Sequence, residues 1–88
     1  MATVFIPSLM QSLTGGQEQI TAPGATVREV IDWLEEQYPG IKARLCDGER
    51  MRPNIAVVVD GEVSSLRLRH KLSPESEVHF MPALSGGA

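Results

Sequence analysis

The sequence predicts an α+β roll: a mixed sheet of four to five strands with one main helix packed on one face. Two observations lead there. The hydrophobic pattern runs as strand alternation near the amino terminus, changes to helical spacing over residues 27–38, and returns to apolar strand-like runs afterwards. That helical segment carries a single apolar stripe, and one such helix can cover only one face of a sheet. At 88 residues, 42% of them hydrophobic, the chain fits a single small domain, near the lower range at which one core suffices.

Each element has its own signal. Thr3-Val4-Phe5-Ile6-Pro7 reads as a first strand with Val4 and Ile6 on one face and Phe5 on the other. Gly15-Gly16 marks a turn, and Gln17 to Thr21 returns as a second strand around Ile20, completing an amino-terminal hairpin. Pro23-Gly24 breaks the pattern. Thr26-Val27-Arg28-Glu29 is a capping box, in which the threonine hydroxyl accepts from the third helical amide and the glutamate reaches back. Val27, Val30, Ile31, Leu34 and Tyr38 form the buried stripe, Trp33 lies at its edge, and Arg28, Asp32, Glu35 and Glu36 face water. Pro39-Gly40 ends the helix, Ile41 to Leu45 has the length of one more turn, and Asp47 to Pro53 reads as an irregular connection. Asn54 to Val59 is a nearly continuous apolar run, the pattern of a central strand buried on both faces, closed by Asp60-Gly61. A short strand near Val63 to Leu66, a basic loop and a last strand from Glu77 to Met81 follow, with no internal repeat and no linker. Placing the β-rich first and last strands side by side and parallel at the centre, with the helix beneath, gives the β-grasp.

Composition excludes several functions. A formal charge of −3 without a basic-aromatic pattern argues against nucleic acid. The amino terminus lacks a basic segment followed by a long apolar run, so neither a signal peptide nor a membrane span is expected. Cys46 is the single cysteine, which rules out an internal disulfide and a cysteine-ligated iron–sulfur cluster; with no metal-ligand spacing, a reducing cytoplasm is the expected compartment. Nothing places a base beside Cys46, so it reads as a small, partly buried thiol more readily than as a nucleophile. No catalytic constellation assembles, so the chain is expected to be neither an enzyme nor a holder of a metal or cofactor.

The end of the chain, Pro82-Ala83-Leu84-Ser85-Gly86-Gly87-Ala88, is the strongest functional signal. Glycine forfeits the most backbone entropy on ordering and buries no side chain, so two of them near a terminus add little to a core. They suit a terminus threaded through a narrow enzyme channel; ordinary terminal fraying is the other reading. The expected organisation is a β-grasp domain over 1–83 and a flexible tail over 84–88.

Thr14-Gly15-Gly16-Gln17, the capped helix, Tyr38-Pro39-Gly40-Ile41, Asn54 with its valine strand and Asp60-Gly61, Val78-His79-Phe80-Met81-Pro82 and Gly86-Gly87 together resemble the ubiquitin-like sulfur carriers of the ThiS/MoaD family. The resemblance runs through essentially the whole chain. The Thr-Gly-Gly-Gln and Tyr-Pro-Gly-Ile segments are most similar to the carrier of a bacterial cysteine biosynthesis route, while thiamin, molybdopterin and siderophore pathways use carriers of the same design. A ubiquitin-like modifier forming isopeptide bonds, or a plain binding module, remain as alternatives.

The resemblance implies a protein substrate. An E1-like enzyme would adenylate the Gly87 carboxylate with MgATP, and a sulfur donor would displace AMP to leave a thiocarboxylate. In the cysteine route this attacks an aminoacrylate on a pyridoxal phosphate-dependent cysteine synthase, and the resulting thioester rearranges to an amide that leaves cysteine on Gly87. Ala88 departs from the family's simplest form, because it places the Gly87 carbonyl in a peptide bond. A zinc metallopeptidase of the JAMM type is then the expected partner, cutting between Gly87 and Ala88 and, later, releasing cysteine. A cloning scar at Ala88 is the other explanation.

Strand alternation puts Phe5, Val58, His79 and Met81 on the sheet face away from the helix, where an apolar patch would bind a partner; self-association and loop coverage are the alternatives. His79 reads as a contact residue, since no acid or nucleophile accompanies it. Arg67, Arg69, His70 and Lys71 read as solvated surface, opposite in sign to the acidic helix face, with electrostatic steering as the alternative.

Overall fold

Strands β1 (Ala2–Phe5) and β7 (Glu77–Pro82) run parallel in the middle of a five-stranded sheet, in a computed structural model that describes residues 1–82. β2 (Gln19–Ala22) flanks β1 antiparallel; β5 (Ile55–Val59) and β6 (Glu62–Val63) extend the other side antiparallel, giving the order β2-β1-β7-β5-β6. This is the expected β-grasp. Ala2, Val4, Ile20, Ala22, Val57, Val59, Val78 and Phe80 are buried on the inner face, each in the strand phase that alternation requires.

Helix α1 (Val27–Gln37) covers that face with Val27, Val30, Ile31 and Leu34, all buried. Its start is held as a modified capping box. The Thr26 hydroxyl accepts from the Glu29 amide at 3.2 Å, while the Glu29 carboxylate accepts from Ala25 N at 3.0 Å, reaching one residue before the cap itself. Gly24 is required just upstream: with φ +145°, a Cβ there would lie 2.9 Å from Val30 N.

Two helix residues expected to face water also serve as braces. Glu35 accepts from Gly40 N at 3.1 Å and Lys42 N at 2.9 Å, satisfying amides at the start of α2 (Ile41–Leu45). Asp32 pairs with Lys42 at 2.8 Å, and this hydrogen bond raises the lysine's pKa above its ordinary value against the opposing effect of desolvation. Tyr38 is half-buried, and its hydroxyl accepts from Gln17 Nε2 at 3.0 Å, tying the end of α1 to the β1–β2 connection.

That connection departs from the expected hairpin turn. A 3-10 segment (Ser8–Thr14) precedes Gly15, and β2 begins at Gln19, two residues later than the sequence suggested. Met10 and Thr14, four residues apart, both point inward, so local packing imposes the turn where the sequence shows no sustained periodicity. Within the stretch Asp47 to Pro53, expected to be irregular, Asp47, Arg50 and Met51 join Cys46 in a small antiparallel pair, β3 (Cys46–Asp47) with β4 (Arg50–Met51), that buries Cys46 and Met51. Two residues per strand are too few for alternation to register.

β5 corrects a third expectation. Val57 and Val59 are buried, but Ile55, Ala56 and Val58 are only partly so. Its continuous apolar run reflects an apolar outer face, not a covered one. β6 stops at Val63, and Arg67 takes over beyond it. The Arg67 guanidinium donates to Ile55 O at 2.6 Å, a carbonyl that a longer β6 would have paired, and to Arg52 O at 2.8 Å in the turn before β5. The basic run is therefore not uniformly solvated: Arg67 is structural, and His70 Nδ1 lies 2.6 Å from the buried Ser64 hydroxyl. That hydroxyl also accepts from the amides of Leu66 and Arg67, so its own proton goes to Nδ1.

The two faces of β5 predict opposite responses to charge. Val57→Asp places an unpaired carboxylate in the core and costs on the order of 4 kcal/mol, a large share of the roughly 5–10 kcal/mol a small domain holds. Val58→Asp, one residue away on the outer face, costs about 1 kcal/mol. Circular dichroism melts check both; a folded Val57→Asp beside an unfolded Val58→Asp would invert the strand register.

Candidate protein-docking face

All four residues expected on the outer face converge there. Phe5 pairs with His79, His79 with Val58 and Met81 with Ala56, so neighbouring strands carry the four side chains into one patch. The Phe5 and His79 rings stack with centroids 4.1 Å apart and planes within 5°. Register extends the row in ways alternation within single strands did not reveal. Val63 lies opposite Val58 across β5–β6, and Gln19 opposite Phe5 across β1–β2. Val63 is 72% exposed and Met81 49% exposed. Phe5, Val58 and His79 beside them are partly buried, so this apolar face is a candidate surface for docking a partner.

The His79 ring lies flat against Phe5. Cys46 is buried, and burial pushes its thiol pKa up, with nearby Lys42 only partly opposing this. A raised thiol pKa means little thiolate at neutral pH and a poor nucleophile. Among the described residues no cluster of His, Cys, Asp and Glu has the makings of a metal site, and no helix is long and apolar enough to cross a membrane.

The strand that carries His79 and Met81 is also the one from which the chain continues to Gly86 and Gly87. Gly86, Gly87 and Ala88, together with the expected 83/84 boundary and tail, lie outside the described residues.

A central β7 leading to a diglycine and flanked by an apolar sheet face is the arrangement of a ubiquitin-like small carrier. The ThiS family model matches residues 4–87, and the chain belongs to that family. The sulfur carrier protein CysO of Mycobacterium tuberculosis is 37% identical over 90 residues, an alignment covering 97% of each chain. Among solved structures, a chain of the Amycolatopsis orientalis BexX/CysO complex is 37% identical with a TM-score of 0.88, covering 99% of this chain and 100% of its own. Mycobacterium tuberculosis CysO is 31% identical with the same TM-score, covering 96% of this chain and 100% of its own.

Because Cys46 is shielded, iodoacetamide at neutral pH is expected to modify it slowly in the folded protein and rapidly in denaturant. The sign of the pH effect follows from the raised folded pKa: the thiol's contribution to stability is complete below its unfolded pKa and is lost as pH climbs through the folded value. Mass spectrometry after timed alkylation checks this, and equal rates in both states would contradict the burial.

Proposed function

We propose that this chain is a sulfur carrier, a protein substrate that other enzymes load and unload at Gly87. The observation that carries the reading is its 37% identity to a sulfur carrier over 97% of its length, on a fold whose central strand leads to Gly86-Gly87. In this reading Ala88 is removed by a JAMM-type metallopeptidase, and an E1-like enzyme transfers the adenylyl group of MgATP to the freed Gly87 carboxylate, releasing pyrophosphate. The sulfur donor then displaces AMP, leaving a thiocarboxylate. The catalytic groups reside on the partners, which position the reactants and stabilise developing charge; this chain supplies the carboxylate and a surface to grip. The acceptor we favour is the aminoacrylate of a pyridoxal phosphate-dependent cysteine synthase, in keeping with the cysteine-route resemblance.

The gripping surface in this proposal is the face of Phe5, Val58, His79 and Met81. An enzyme seated there desolvates the apolar patch while the residues following β7 reach its active site. Val58→Asp should then weaken docking about tenfold or more, because the introduced carboxylate must be desolvated without a partner.

Loading is tested with an E1-like enzyme, MgATP and a sulfur source, followed by intact mass. A chain ending at Gly87 should exchange one oxygen for sulfur, and the chain ending at Ala88 should not; rapid gain of sulfur with alanine retained would overturn the role of Gly87. Gly86→Val should slow adenylation while leaving the melting temperature nearly unchanged, since a branched side chain crowds a narrow channel and excludes backbone angles open to glycine. A melting temperature lowered as far as by a core substitution, with loading intact, would make the diglycine a structural element instead.

A further inference from the structure

On the helix side of the molecule, away from the stacked Phe5–His79 face, an open groove of about 490 Å³ lies between β4 and the 3-10 turn Arg67–Arg69. Its apolar part is formed by Met51, Pro53, Leu66 and Leu68. Leu66 is 50% exposed, although a leucine beside a short turn has no local reason to stay in water. Around this apolar strip stand Arg28, Arg50, Arg67 and Arg69, with Glu49 as the one acidic residue in the lining. Four of the chain's eight Lys and Arg therefore gather at one groove of a protein whose formal net charge is −3.

The four arginines are held differently. Arg67 is fixed by two carbonyls, which orient its guanidinium without neutralising it. Arg28 pairs with Glu49 across exposed surface, an ion pair worth little and open to competition. Arg50 and Arg69 are exposed and have no ion-pair partner among the described residues. The floor is aliphatic, with no aromatic side chain in the lining on which a base could stack, which favours a peptide over single-stranded nucleic acid.

We infer that this groove is a second docking site, which receives an acidic protein segment bearing an aliphatic side chain. The aliphatic group lies on Leu66 and Leu68, and flanking carboxylates meet Arg50 and Arg69, with Arg67 as a fixed third charge. The groove reaches Pro53, beside the start of β5, where Ile55 pairs with Pro82 at the end of β7. A protein holding the chain beyond β7 is thus within reach of the groove. The site stands independently of the sulfur-carrier reading, since it requires only the groove and its charge.

The test is titration of the isotopically labelled full chain with a short capped peptide alternating glutamate and leucine, read by amide chemical shifts. Saturable shifts clustered at residues 49–53 and 66–69 are expected, weakening with added salt as screened charges do. The exposed double variant Arg50→Glu/Arg69→Glu should bind about tenfold more weakly or worse, and Leu66→Gln should also weaken binding. Val58→Asp, on the opposite face, should leave it unchanged. The proposal is overturned by absence of saturation, by equal binding of the glutamine-for-glutamate peptide, or by shifts centred on Phe5, Val58 and His79. Tighter binding of a single-stranded oligonucleotide would make the groove a nucleic-acid site, and the same shifts appearing on concentrating the chain alone would make its occupant a second copy; either refutes the acidic segment.

Discussion

The packing of one helical stripe against one face of the sheet governs this structure. Val27, Val30, Ile31 and Leu34 meet Val4, Val57, Val59, Val78 and Phe80 in a single core, and each fully buried aliphatic side chain contributes roughly 1.5–3 kcal/mol relative to exposure. No second helix of comparable length is present among the described residues, so the opposite face of the same strands stays open. The outer patch of Phe5, Val58, His79 and Met81 is therefore a consequence of how the core is built. The residues that alternate inward stabilise the domain, and those between them lie outside that core.

Polar groups finish what the stripe begins. Glu35 satisfies the amides of Gly40 and Lys42, and Arg67 closes the open edge of β5. Ser64 links two backbone amides to His70. Among the described residues no buried side-chain nitrogen or oxygen lacks a hydrogen-bond partner, as expected where an unpaired buried polar group costs about 1–3 kcal/mol. These braces let a small core support connections that would otherwise expose backbone groups.

A carrier built this way separates stability from chemistry. The core is apolar, the one thiol is buried and kept protonated, and the residues with functional promise lie on outward surfaces or beyond β7. That arrangement fits the proposed function, in which surface substitutions would alter docking while leaving the core intact and the reacting carboxylate would belong to Gly87.

The strand and helix periodicities, the capping box and the Gly86-Gly87 ending were legible in the sequence because each is written in residues close together along the chain. The fold class and the four-residue outer patch followed from them, since alternation assigns faces once one face is known to be covered. The 3-10 segment and the β3–β4 pair were not legible. Met10, Cys46 and Met51 are buried in the core by contacts across the chain, and Thr14 is held by its hydroxyl to Gln11 O and Gln17 O. Asp32, Glu35 and Arg67 looked like solvent-facing charges, because a sequence records a charge but not the amide or carbonyl that folding brings beside it. The sequence alone determined which residues can lie inside and which strand residues alternate outward. Only tertiary structure decided the register between strands, which stacked His79 on Phe5 and extended the patch to Val63, and the packing of the 67–69 turn beside β4, which gathered four arginines around Leu66. Those relations depend on contacts between segments far apart in sequence, on which local periodicity has no bearing.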